Sequence, residues 1–324
     1  MGLNNKKFKI FAESFKKHTS QLKASLRKQA AGFEKEVRKQ ASDCVKAQGK
    51  YLRPMLVYCC APSIKPQDAE LQKRASSVEL IHLASLIHDD VIDNADLRRG
   101  EETIFKKFGA RTAILLGDAI FAHAMQLALS DGSREISMKA VETVKTLSQG
   151  EIMQTLAKDR KTDMQKYLSI IDGKTASLFE FACFLGASLE CGSGSEWAAA
   201  AQKAGKRLGR AYQMFDDVCD WKISESESGK TAGTDFLSEK QTLPVIVLLG
   251  EMPKKESAAL SKNLKSRTPD ELKQKMRRFG VLEKCVKIFE GEIAEARKAV
   301  AKFEGQNAKL LEFCDALSDM MPHS

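Results

Sequence analysis

The sequence predicts an all-α protein. Apolar residues recur at helical spacing through most of the chain, and no segment alternates as a half-buried strand would. Aromatics make up only 7% of the 324 residues and there are 7 prolines, which suits neither an aromatic-rich sandwich nor a proline-rich linker. With 43% hydrophobic residues the chain can bury a substantial core, which excludes a disordered protein or a mini-protein.

The elements follow in order. Phe8, Phe11, Phe15, Leu22, Leu26, Phe33 and Val37 recur at three, four or seven residues with lysines between them, as one helix or a helix pair requires. That stripe suits a core helix or a basic helix lying on an anionic membrane, and both readings stay open. Long helices are expected over 68–95, 110–130 and 134–158, and further ones over 163–190, 195–221, 242–251, 256–264, 269–278 and 281–319. Cys191-Gly192-Ser193-Gly194-Ser195 is a turn, and Ser224 to Gln241 is a polar loop long enough to suspect function. With no repeat and no linker, residues 1–324 are expected to form a single domain. Basic amphipathic helices would occupy 1–45, and a helical core carrying the chemistry 46–324.

Charge narrows the function. Residues 1–50 hold 13 Lys/Arg and 4 Asp/Glu, which accounts for the whole net charge of +9. The rest of the chain is balanced, so no basic stripe tracks a nucleic acid through the domain. The 8 cysteines contain no Cys-x-x-Cys pair, and reduced thiols are expected. Charged residues are expected to interrupt every apolar run before it could span a bilayer, as Glu180 does between Ala176 and Leu189. The start of the chain shows no apolar signal core, and Lys6 breaks a myristoylation pattern. A cytoplasmic location is the expectation.

Two carboxylate triplets carry the chemistry. Asp89-Asp90-Val91-Ile92-Asp93 and Asp216-Asp217-Val218-Cys219-Asp220 repeat one spacing, each at the end of an apolar helical segment. At about 100° per residue, the second and fifth positions fall roughly 100° and 40° from the first, so each triplet shares a helix face. Like charges at ~4 Å repel by about 4 kcal/mol at an effective dielectric near 20, so such a cluster wants cations. All-oxygen ligation suits Mg²⁺, which keeps water and shares its remaining positions with phosphates. A single triplet could be a solvated helix end; two matching ones are harder to explain that way.

Basic residues surround the triplets. Lys50 and Arg53 stand at a helix start in Gly49-Lys50-Tyr51-Leu52-Arg53-Pro54, Arg98-Arg99 follows the first triplet, and Lys230 and Lys240 flank the polar loop after the second. Arginine suits bidentate phosphate contacts and lysine supplies a compact charge. Acid, metal and base together point to diphosphate chemistry.

With these residues in view, the chain resembles the trans-type polyprenyl diphosphate synthase family from about Gly49 to Pro244, and more weakly beyond. The matching stretches are Gly49 to Pro54, Glu79-Leu80-Ile81-His82 running into His88 to Asp93, Leu97-Arg98-Arg99-Gly100 and Gly117-Asp118. Gly173-Lys174-Thr175-Ala176, Gln213 to Asp220 and Lys240-Gln241-Thr242-Leu243-Pro244 follow in order. The resemblance implies an isoprenoid-synthase-type helical bundle around a central cavity, usually a homodimer. It implies Mg²⁺-dependent head-to-tail condensation of isopentenyl diphosphate with an allylic diphosphate. By carry-over, Asp89, Asp90, Asp93, Asp216, Asp217 and Asp220 would hold the magnesium, three ions per site. Arg98, Lys174, Lys230 and Lys240 would meet the allylic diphosphate, and Lys50, Arg53, His82 and Arg99 that of isopentenyl diphosphate. Thr175 and Gln213 would face the reacting carbons; His88 is expected to pack or to support its neighbours. The chain departs from the family pattern at Gln48 and Glu239, where glycine is usual, and in ending without a basic tail.

Ala84 and Ser85, then Ile81, then Ser77 stand one, two and three turns above Asp89, and are expected to line the cavity that receives the growing product. They are small or aliphatic, and Ser77 to Asp89 spans about 18 Å of helix. A product of roughly C30–C40 is the expectation. Alternatives are a floor built by Phe121 or Met125, a C15–C20 synthase, a class I terpene cyclase, or a non-catalytic subunit of a two-component synthase. The second diphosphate group and the six aspartates argue against the last two.

Overall fold

Helices form where the apolar spacing predicts them, and the departures concern where they break. The computed structural model describes residues 6–46, 49–98, 100–130, 132–157, 162–222, 242–264 and 267–322. The N-terminal stripe resolves into three helices, α1 (Lys6–Ser14), α2 (Lys16–Ala31) and α3 (Lys35–Lys46). Phe8, Phe11, Phe15, Leu22 and Leu26 are buried, with Phe11 edge-on to Phe313 at 5.6 Å. The apolar stripe therefore belongs to the core, while Lys16, Lys17, Arg27, Lys28, Lys35 and Lys39 remain on the surface.

A short α4 (Leu52–Cys59) leads to α5 (Ala69–Ile92), whose first turn is capped by Asp68 accepting from the Leu71 N–H at 2.9 Å. Four neighbours fix α5. Ser25 on α2 bonds Ser76 at 2.8 Å, and Tyr58 on α4 donates to Gln72 at 3.1 Å. Arg74 donates to the Leu185 carbonyl at 2.8 Å, and His88 seats over Gly117, where a Cβ would lie 2.2 Å from its Nε2. His88 also meets the Ile114 carbonyl at 3.1 Å and the Phe121 ring at 5.6 Å, so it packs, as expected. This scaffold aims the end of α5, and with it the first triplet.

A two-residue ribbon, β1 (Leu97–Arg98) paired with β2 (Glu101–Glu102), turns at Gly100 with φ of 82°. It is too short to leave an alternating pattern. Then come α6 (Ile104–Leu129), kinked at Gly109, and α7 (Arg134–Ala157). The segment expected as one helix over 163–190 is α8 (Met164–Ile171), a π-helical turn (Asp172–Ala176) and α9 (Ser177–Cys191). After α10 (Glu196–Lys222) follow α11 (Leu243–Glu251), α12 (Lys254–Lys262), α13 (Pro269–Arg278), α14 (Val281–Val300) and α15 (Ala308–Met320). The stretch expected over 281–319 thus breaks before α15, near Gly305 with φ of 85°. The loop expected at 224–241 lies outside the described residues.

One sequence expectation needs correcting. By length and composition α6 is apolar enough to cross a membrane, because only Arg111 and Asp118 interrupt its later turns. It is amphipathic in a different sense. Ala113, Leu116, Ile120, Ala124 and Ala128 are buried, while Ile114, Leu115 and Leu129 are exposed. Met138, Val141, Ile152 and Leu156 on α7 are exposed as well. All 8 cysteines are free thiols, and only Cys191 is exposed.

Candidate active site

The first triplet sits where α5 ends. Asp89 retains 19% of its side-chain exposure, and burial pushes its carboxyl up to about 6 even though Lys174 at 3.9 Å pulls the other way. Asp90 is buried and takes the Arg98 guanidinium on one oxygen, from Nε and Nη2 at 2.8 Å each. Burial raises its carboxyl too, against the opposing charge of Arg98. Asp93 is the exposed C-cap residue.

The second triplet closes α10. Asp216 is exposed, Asp220 is partly buried and Asp217 is 3% exposed. Asp217 accepts from the Tyr167 hydroxyl at 2.8 Å, from Gln213 Nε2 at 2.9 Å and from the Leu243 N–H at 2.9 Å. Asp217 therefore ties α8, α10 and the start of α11 together. Thr175 donates to Gln213 Oε1 at 2.7 Å, so the π-turn joins this end of α10 to Lys174, and Lys174 to Asp89. The two triplets and the Gly173-Lys174-Thr175 segment are thereby brought to one site.

A cavity of about 600 Å³ opens beside the first triplet. Its wall includes Lys50, Arg53, His82, Asp90, Arg98 and Tyr212. Lys50 and Arg53 are presented by the start of α4, where Tyr51 takes φ of 52°, and Arg53 lies 5.1 Å over the Phe179 ring. Three basic groups from α4 and α5 thus converge on one concave space, the arrangement a diphosphate requires. Arg99, Lys230 and Lys240 lie outside the described residues. Arg98 stands on the same wall, bonded to Asp90 of the first triplet.

The α5 residues expected along the path of the product lie apart from this basic cavity. Ser77, Ile81 and Ala84 are 0% exposed, and none of them, nor Ser85, belongs to the wall of this cavity. The wall takes Glu79, His82, Leu83, Leu86 and Ile87 instead. At about 100° per residue, 77, 81, 84 and 88 fall on another stripe, the one that carries His88 onto α6. Only Ser85 keeps partial exposure, one turn before Asp89, with its hydroxyl on the His82 carbonyl at 2.8 Å.

Other groups of this site went unread in the sequence. Glu151 and Gln154, three apart on α7, hold the Lys174 ammonium at 2.5 and 2.8 Å. Gly150-Glu151-x-x-Gln154 was the available signal, a glycine beside two polar residues on one helix face. Tyr167 and Tyr212 gave none, being aromatics at ordinary core spacing.

Among the described residues no three acidic, imidazole or thiol side chains converge on a single metal position. The donor chemistry nonetheless fits a hard dication. Each triplet offers only carboxylate oxygens, and burial holds the Asp89 carboxyl above its ordinary value despite Lys174. Asp89, Asp90, Asp93, Asp216, Asp217 and Asp220 together supply the carboxylates for that role, with Asp90 also holding Arg98 and Asp217 also holding Tyr167.

The profile of the polyprenyl synthetase family matches residues 34–279. The chain belongs to the polyprenyl synthetase family. It is 36% identical to the octaprenyl diphosphate synthase of Haemophilus influenzae over 203 residues, which are 62% of this chain and 61% of that protein. The crystal structure of a decaprenyl diphosphate synthase from Rhodobacter capsulatus superimposes with a TM-score of 0.87, at 27% identity, covering 98% of this chain and 100% of that one. A polyprenyl synthase from Caulobacter crescentus, complexed with calcium and isoprenyl diphosphate, gives 0.85 at 26% identity, covering 96% and 97%. Both of these neighbours share the helical architecture seen in the described residues.

Proposed function

We propose that this polyprenyl synthetase condenses isopentenyl diphosphate head-to-tail with an allylic diphosphate such as farnesyl diphosphate, giving an all-trans polyprenyl diphosphate of medium or long chain. The observation that carries the reading is the adjacency of two anion sites. Lys50, Arg53 and His82 converge on a cavity whose rim is Asp90 and Arg98, while Lys174 stands 3.9 Å from Asp89. The octaprenyl and decaprenyl activities named for similar proteins support the chain length.

In this reading the basic wall binds isopentenyl diphosphate and orients its alkene. Lys174 meets the allylic diphosphate and, held by Glu151 and Gln154, needs no rearrangement to stabilise the charge that grows as the C–O bond ionises. Magnesium held by Asp89, Asp90, Asp93, Asp216, Asp217 and Asp220 would supply Lewis-acid stabilisation of the leaving diphosphate. Thr175 and Gln213, bonded to each other, border the reacting carbons. Holding both substrates in one place supplies orientation worth up to about 7–11 kcal/mol in favourable cases.

Purified protein given farnesyl diphosphate, labelled isopentenyl diphosphate and Mg²⁺ is expected to yield elongated prenyl diphosphates, read by mass spectrometry, and EDTA to abolish them. A cyclic hydrocarbon from the allylic substrate alone would instead mark a cyclase. Elongation only after a second subunit is added would mark a regulatory chain.

The homodimer is the partner we favour, because Ile114 and Leu115 on α6 and Met138, Val141, Ile152 and Leu156 on α7 leave apolar side chains exposed. Leu115→Asp combined with Ile152→Asp is expected to shift the elution volume to that of a monomer in size-exclusion chromatography; unchanged elution would place the partner face elsewhere. Membrane contact, if it occurs, falls to the exposed lysines of α1–α3, since their apolar stripe is consumed in the core.

A further inference from the structure

The turn Asp172–Ala176 is π-helical, a geometry found mostly as single turns within helices and often at functional sites. Two helices grip it. Toward α7, Gly150 and Gly173 meet backbone to backbone: a Cβ on Gly150 would fall 2.4 Å from the Lys174 nitrogen, and one on Gly173 2.7 Å from the Gly150 Cα. Toward α10, a Cβ on Gly209 would fall 2.5 Å from the Ala176 Cα. Close approach holds the turn between the helices but does not fix its rotation about its own axis.

Polar contacts with α10 fix that rotation. Arg210 makes a fork to Asp172, Nε to Oδ1 at 2.5 Å and Nη2 to Oδ2 at 2.7 Å, and Lys206 adds a contact to Oδ2 at 3.1 Å. Behind the fork, Glu292 on α14 faces Arg210 Nη1 at 3.4 Å and Arg207 Nη1 at 3.1 Å. Burial would raise the Asp172 carboxyl, yet the hydrogen bond and charge of Arg210, then those of Lys206, hold it below its ordinary value. Three residues further along both segments, Gln213 meets Thr175 at 2.7 Å. Helix α10 therefore reads the turn at two points, residue 210 against 172 and residue 213 against 175.

We propose that Arg210 is a positioning residue which, through its fork to Asp172, sets the rotation of the π-turn and so aims Lys174 and Thr175 into the site. The proposal rests on the prenyltransferase reading for what the site does. A π-turn carries one residue more than the α-helical turn it replaces. Relaxation toward α-helical register therefore swings neighbouring side chains by about 100°, enough to carry Lys174 away from Glu151 and Asp89. Lysine in place of Arg210 keeps the charge but loses the planar fork.

The test compares wild type with Arg210→Met, Arg210→Lys and Asp172→Asn by steady-state kinetics and by amide hydrogen exchange. Arg210→Met is expected to lower kcat about 10- to 100-fold, the scale of a misplacement near 1 Å, and to raise KM for the allylic diphosphate. KM for isopentenyl diphosphate should stay within about twofold, since Lys50, Arg53 and His82 stand on α4 and α5. Arg210→Lys should recover part of the loss. Exchange should accelerate at 172–177 and remain unchanged elsewhere. Wild-type kinetics and exchange in Arg210→Met overturn the proposal, as do equal rises in both KM values with fast exchange throughout the chain. If Arg210→Met does not fold, Asp172→Asn carries the same readouts and outcomes. A wild-type chain that elongates nothing overturns the prenyltransferase reading instead, and the exchange contrast at 172–177 still decides the positioning role.

Discussion

Asp89→Asn is expected to stop elongation while making the metal-free protein more stable at neutral pH. The activity loss follows from the site: Asp89 is the partly buried member of the first triplet with Lys174 beside it, and removing one charge-stabilising group from such a centre costs about 10²–10³-fold or more. The stability gain follows from its carboxyl, raised from 3.8 to about 6 chiefly by burial. The folded chain binds that proton more readily than the unfolded chain does. The Asp89 carboxyl therefore costs nothing below about pH 4, and increasingly destabilises the fold as pH rises through about 6. At one pH unit per 1.36 kcal/mol, the cost at neutral pH is up to about 3 kcal/mol, which the amide avoids. Thermal melts at pH 7 without metal should place Asp89→Asn several degrees above wild type, with the gap closing toward pH 4. Added Mg²⁺ should raise the wild-type midpoint by mass action and narrow the gap from the other side. An Asp89→Asn protein that melts below wild type at pH 7 and keeps its turnover would dismiss Asp89 as a cation ligand.

The same residue shows why parts of this site were readable before any coordinates. Asp89 and Asp93 repeat in Asp216 and Asp220 at one spacing, and spacing on a helix translates directly into a shared face. The helices were legible for the same reason, since an apolar period of 3.6 survives wherever one side of a helix is buried. The π-turn was not, because Asp172–Ala176 continues the apolar period of its flanks on both sides. It is held by glycine contacts from α7 and α10 and turned by the Arg210 fork to Asp172, partners distant in sequence. Glu151 and Gln154 were hidden by their ordinariness, a polar pair on a helix with much exposed surface. Within each triplet, spacing could not tell which protein groups each carboxylate meets. Asp90 meets Arg98 on β1, and Asp217 meets Tyr167 and the Leu243 N–H, contacts made only after folding. Which stripe of α5 meets the basic cavity was hidden for a related reason. A helix buried against α2, α4, α6 and α9 carries no polar face to show which side meets a cavity.

Exposure separates two substitutions that look alike in sequence. Ser85→Phe is expected to shorten the product, and Ala84→Phe to destabilise the fold without shortening it. Ala84 is 0% exposed among packed helices, so the added ring has no room and overpacking should cost about 1–3 kcal/mol. Ser85 is partly exposed and lies one turn from Asp89 on nearly the same face, so a ring there can extend toward the first triplet without overpacking the helix contacts. A prenyl tail growing past Asp89 would meet it after few additions. The paired measurement is the melting midpoint with the product-length distribution by mass spectrometry. Ser85→Phe should melt near wild type with its distribution moved to shorter chains, and Ala84→Phe should melt several degrees lower with an unmoved distribution. If Ala84→Phe instead keeps the wild-type midpoint and shortens the product, Ala84 faces the tail, and the stripe of α5 that carries His88 onto α6 also borders the path of elongation.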